Sequence, residues 1–147
     1  MIETDVALQL KETHQKIVQI LQQKIDEYDL TFGQLFLIMK IDNNPEASQK
    51  ELAKQMRFTE GAMSIVVKRL ISSNMLKQVP LEADMRYNRL VITDLGKAMI
   101  DDYKEYVIKV YQDIFQGFNE EELEKLFAAL IKINDNLSKI NNNVDKN

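Results

Sequence analysis

The chain has no cysteine and one histidine among its 147 residues. Without thiols it has no disulfide scaffold, no thiolate metal site and no thiol-based redox switch. A lone histidine, His14, is too few for a histidine-based metal site. No spacing sets it beside a serine or threonine with an orienting acid, so nucleophilic catalysis lacks its parts. The scattered carboxylates form no cation-binding loop motif. Neither a metal nor a cofactor is expected, and the chain reads as a non-enzyme. No stretch is long and apolar enough to span a bilayer, and the N-terminus lacks the basic and apolar pattern of a secretory signal. The expectation is a cytoplasmic protein that does not enter membranes.

What is present is enough for one domain with a real core, since 45% of the residues are hydrophobic. Only the closing "NNNVDKN" has the composition of a disordered tail. The net charge of −4 argues weakly against a nucleic-acid partner, but its distribution reverses that. From Ser48 to Thr93 the balance is +4, and over the remainder it is −8. A basic middle between acidic ends fits a nucleic-acid surface, with a chance fluctuation of a solvated surface as the plain alternative.

Periodicity gives the order of elements. Leu10, His14, Ile17, Val18, Leu21, Ile25 and Tyr28 form a helical stripe over roughly Thr4 to Tyr28. Thr31 with Gln34, Ser48 with Glu51 and Asn119 with Glu122 have capping-box spacing, and each opens a helix. Thr59 is a further N-cap, for a helix to about Ser73 with Met63, Val66, Val67, Leu70 and Ile71 inward. Asn74 follows where left-handed backbone is needed. "MLKQVP" and "NRLVIT" read as paired strands, and Thr93 caps a long helix to about Gln116. The fold class is therefore mostly α with a small β-hairpin: a helix-turn-helix, joined by the short "RFT", followed at once by a hairpin, the layout of a winged helix.

In such a motif the second helix lies in the major groove and reads base edges from its first turns. The candidates are Thr59, Gly61, Ala62, Ser64, Ile65 and Lys68. Thr59 and Ser64 suit base edges or phosphate, Ala62 and Ile65 a thymine methyl, and Lys68 a phosphate. Gly61 lets the backbone approach closely. The plain alternative is that small residues begin this helix because it packs tightly there, and Glu60 would face phosphates unless it points aside.

The hairpin tip carries Asp84 and Arg86 in "LEADMRYNRLVIT". An arginine in the narrow minor groove meets strong negative potential, and a nearby carboxylate can fix its direction. Seen alone, the pair is equally an exposed ion pair of little energy. Arg89 and Lys77 are expected on the wing beside it, and Gln49 and Lys50 at the DNA backbone.

"DMRYNRLVITDLG", Asp84 to Gly96, resembles the wing-to-helix signature of the MarR family of bacterial transcriptional regulators. The resemblance extends through "LTFGQ", "SQKELAKQM" and "TEGAMSIVVKRL", with its specific motifs between about 30 and 96. It implies a dimeric winged helix on a pseudo-palindromic operator, usually repressing and often released by a small ligand. It also implies that Arg86 is the minor-groove arginine and Asp84 its support. The chain departs from the pattern at Asn74, where a glycine is common, and at Glu82, which makes the wing less basic.

The expected organisation is 1–30 and 94–140 as dimerisation helices, 31–93 as the winged helix-turn-helix and 141–147 as a polar tail. The expected partners are double-stranded DNA, a second copy of the chain and a small-molecule effector, the last lined by Tyr28, Phe32, Phe36 and Tyr103. The broad apolar arc of Tyr103, Tyr106, Val107, Val110, Tyr111, Ile114 and Phe115 supports the homodimer. The rival function is a helical dimeric interaction module that never touches DNA.

Overall fold

The computed structural model describes residues 1–80 and 88–144. Asp84 and Arg86 lie outside the described residues, as does 145–147. Two compact units form, residues 1–107 and the residues from Ile108 onward.

In the first unit, α1 spans Ile2–Glu27. It ends at Tyr28 and turns through Asp29, whose φ of 56° places it in the left-handed region. Thr31 and Gln34 then exchange both bonds of a capping box, 3.2 and 3.0 Å long, and α2 runs over Phe32–Asn43. This pairs amides that would otherwise be orphaned at the helix start. Leu35, Leu37, Ile38 and Ile41 bury themselves against Ile25 of α1 and the helices that follow, so α2 is the centre of the core.

Ser48 and Glu51 repeat the box for α3, Gln49–Gln55. The connection to α4, Glu60–Ser72, turns at Arg57 with φ 55° and is held by Phe58 N donating to the Ala53 carbonyl at 2.9 Å. Met63, Val67 and Leu70 of α4 are buried, while Val66 and Ile71 pack at the core's edge. These are the five residues the 3.6-residue period assigns to the inward face.

Asn74, at φ 60°, reverses the chain into the hairpin. β1, Leu76–Pro80, pairs antiparallel with β2, Asn88–Ile92, in a register that sets Leu76 opposite Ile92 and Val79 opposite Arg89. Leu76 and Leu90 sink into the core. The outer edge of β2 gains a backbone bridge from Arg89 to Ser48, the residue that caps α3.

Thr93 starts α5, Asp94–Ile114, by accepting the Gly96 amide at 3.1 Å. Its hydroxyl also donates to the Asn74 carbonyl, and its amide bonds the Met75 carbonyl at 3.1 Å. A Cβ added at Gly96 would lie 2.4 Å from that Met75 oxygen, so only glycine lets α5 press so closely on the end of α4. The first half of α5 buries Met99, Ile100 and Tyr103.

In the second unit, Gly117 turns the chain at φ 89°, and Asn119 with Glu122 forms the third box at 2.8 and 2.9 Å. α6 follows over Glu120–Val144. It continues helical through 141–144, where the composition suggested a polar tail. Each residue added to a nucleated helix gains a hydrogen bond, which carries polar asparagines along. None of the described residues of α6 is buried. No helix of the described residues is long and apolar enough to cross a membrane.

Candidate nucleic-acid interface

The exposed side of the helix-turn-helix is built from the first three turns of α4. Thr59 holds the start of the helix with its Oγ1, which accepts the Ala62 amide at 3.1 Å; the hydroxyl proton stays available to donate. Gly61, Ala62, Ile65 and Lys68 are exposed and Ser64 is half-buried. Ile65 is 58% exposed although it is a large aliphatic side chain in a well-packed unit. A Cβ placed on Gly61 meets nothing within 4 Å. Packing therefore does not account for the small residues at this helix start, and a glycine inside a helix costs roughly 0.5–1 kcal/mol relative to alanine. Residues 61, 65, 68 and 72 are spaced three or four apart and share one face.

Glu60, exposed at the start of α4, borders an open recess of about 370 Å³ lined also by Lys50, Lys54 and Phe58. Lys50 is exposed on the first turn of α3. Its neighbour Gln49 is tied down, accepting the Gln78 side-chain amide from β1 at 2.8 Å. Lys77 is exposed on β1, opposite Val91.

Arg89, expected as a wing contact to DNA, is engaged with the protein. Its Nε donates to the Pro45 carbonyl at 3.0 Å and its Nη2 to Glu46 Oε1 at 2.9 Å. Nothing local announces these partners, which lie 43 and 44 residues away in the chain.

The four aromatic residues proposed to line a ligand site fall into two groups. Phe32 and Phe36 stack on the exposed side of α2, with ring centroids 6.1 Å apart and Lys40 Nζ 5.9 Å from the Phe36 ring. Tyr103 is buried in the core, and the half-buried Tyr28 donates its hydroxyl to Asp102. Lys24 joins that second group: its ammonium lies 3.1 Å from Glu27 and 3.2 Å from Asp102, and over the rings of Tyr28 and Tyr106. The Tyr28 hydroxyl is pushed up to about 12, first by burial and then by its bond to Asp102. A separate open cleft of about 870 Å³ lies between the α1–α2 corner and the end of α4, lined by Asp26, Asp29, Thr31, Gln34, Lys68 and Arg69 among others. None of the four aromatics borders it.

A capped helix-turn-helix, an exposed face on α4 and a two-stranded hairpin fall in one unit, and a model of the MarR family matches residues 30–87 across them. Over that stretch the chain is similar to the MarR family. The HTH-type transcriptional regulator SarZ of Staphylococcus aureus (strain USA300) is 27% identical over 100 residues, 68% of this chain. The chain spans 65% of SarZ, a little under two thirds of its length. The Bacillus subtilis YusO protein superposes with a TM-score of 0.82 at 20% identity, covering 91% of this chain and 95% of that one. The S. aureus MepR–DNA complex gives a TM-score of 0.73 at 19% identity, with 86% and 96% covered. At these identities the shared property is the winged-helix fold.

Proposed function

We propose that this chain is a MarR-family, sequence-specific DNA-binding transcriptional regulator, a repressor that holds a pseudo-palindromic operator as a homodimer. The observation that carries the proposal is the start of α4. Gly61 is unexplained by packing and Ile65 is exposed on the same face as Lys68, an arrangement suited to close approach, methyl contact and phosphate contact in a major groove. Ala62, Ser64 and Thr59 complete the reading set. Asp84 and Arg86 remain the proposed minor-groove pair of the wing, with Lys77 beside them, and Gln49 and Lys50 the proposed backbone contacts. MepR, which shares the fold, is solved with DNA.

Dimerisation fits the apolar side chains left in the open on the terminal helices: Ile2, Val6 and Leu8 on α1, and Phe127, Ile131, Leu137 and Ile140 on α6. Two copies would present two α4 helices to successive major grooves, about 34 Å apart. Release by a small effector is part of the same reading, with Phe32 and Phe36 as its exposed aromatic surface, Tyr28 at the end of α1 and Tyr103 in the core.

Duplex fragments selected from the source genome, titrated by fluorescence anisotropy at several salt concentrations, test the proposal. The wild-type affinity should fall steeply as salt rises, because bound phosphates release counterions. Arg86→Ala should weaken binding about tenfold, roughly the worth of one charge-assisted contact, with the thermal transition unchanged. Asp84→Ala should weaken it too, although it removes a negative charge. Salt-independent or absent duplex binding would sink the regulator reading, and an unchanged Arg86→Ala would remove the wing from it.

A further inference from the structure

We infer that Arg89 and Gln78 are wing-positioning residues that clamp the hairpin to the α2–α3 corner, with Arg89 acting on DNA affinity through the protein and not through phosphate. This rests on the DNA-binding reading above. In the register of the hairpin Val79 is opposite Arg89. Successive side chains on a strand point to opposite faces, so Gln78 and Arg89 lie on opposite faces of the hairpin. Each face is therefore tied to the same short stretch of chain. Arg89 reaches Pro45 and Glu46, and Gln78 reaches Gln49. Between them the backbone of Arg89 bridges to Ser48. The hairpin is thus gripped from both faces and along its edge by residues 45–49, the connection that leads into the helix-turn-helix.

The chemistry of the tie suits aiming better than stability. Glu46 is 84% exposed and Arg89 35%, and exposed ion pairs add little to folding. What the fork geometry of a guanidinium adds is direction, since two of its donors are fixed by two acceptors at once. A guanidinium spent on a carbonyl and a carboxylate is also poorly placed to neutralise a phosphate. Glu46 is then a holder for this arginine. The same corner is anchored on its other side, where Asp42 meets Lys97 at 3.2 Å and Lys104 at 2.8 Å on α5. The wing and α5 therefore share one fixed point.

The test is a salt titration of operator binding by the wild type, Arg89→Ala, Arg89→Glu, Glu46→Ala and the exchanged pair Glu46→Arg with Arg89→Glu. It is joined to amide hydrogen exchange at Leu90, Gln49 and Ser48 without DNA. A phosphate contact contributes about 0.9 to the slope of log affinity against log salt. Arg89→Ala should weaken binding about two- to fivefold with the slope unchanged, the size expected for losing an exposed charged tie. Glu46→Ala should weaken binding in the same direction, and the exchanged pair should bind better than Arg89→Glu alone. Exchange at the three amides should quicken in Arg89→Ala. A slope shallower by about one unit, tighter binding by Glu46→Ala, or unaltered exchange would each overturn the clamp. If the wild type shows no salt-dependent binding at all, the regulator reading fails, and the exchange result still decides the clamp.

Discussion

α2 and α6 use apolar residues in opposite ways. α2 is 12 residues long and closes Leu35, Leu37, Ile38 and Ile41 to 2% exposure or less. α6 is 25 residues long, and none of its described residues is buried, although it carries Phe127 at 67% and Ile140 at 58% exposure. An all-round apolar helix is a core helix, whereas a long helix with an open apolar stripe is stabilised by something it packs against. The contrast separates what holds one copy together from what a second copy is proposed to cover.

The sharpest way to break that contrast is to cut each helix in turn. Leu37→Ala, at a fully buried site, should lose about 2–5 kcal/mol by cavity formation, read as a shift of the denaturation midpoint that does not depend on protein concentration. Phe127→Glu should leave the core of the first unit intact but weaken self-association at least about tenfold, since burying an unpaired charge at an interface is costly. Sedimentation would show the monomer appearing at higher concentration, and a sedimentation profile identical to wild type would remove α6 from the interface. The smallest effect belongs to the tie between α2 and α5. The Lys104 ammonium first, and Lys97 with it, holds the Asp42 carboxyl below its ordinary value. A lowered carboxylate stabilises the fold above its unfolded-chain value of about 4 and loses that contribution as pH falls through the lowered folded value. Asp42→Asn should therefore cost at most about 1 kcal/mol near neutrality and flatten the acid side of the stability curve. An acid limb as steep as that of the wild type would dismiss the tie.

Local chemistry made much of the fold legible. The capping pairs Thr31–Gln34, Ser48–Glu51 and Asn119–Glu122 start helices as their spacing says, because both partners sit within one turn. Asn74 takes the left-handed backbone expected of it. Asp29 and Arg57 take the same conformation unannounced, Asp29 as a residue type that tolerates it and Arg57 as one that gives no such sign. The candidate reading face on α4 was legible because a helix presents a fixed period. Arg89 was not. Its acceptors, Pro45 and Glu46, are brought near by the return of the hairpin, and no pattern in the sequence encodes that meeting. The same holds for Lys24 and Asp102, paired across α1 and α5. Pairings of this kind follow from how the elements pack, which periodicity does not specify.

Gly96 leaves no slack where α5 leaves the hairpin. With the Met75 oxygen against its α-carbon, and Thr93 bonded to the residues that follow α4, the two helix ends cannot slide past each other. They must turn as one body. The part of α5 within the first unit, residues 94–107, is about 21 Å long at 1.5 Å per residue, so a tilt of about 5° imposed at its end corresponds to a travel of roughly 2 Å there. Such a lever would let a modest push on the long helix be felt as a change of pitch in α4.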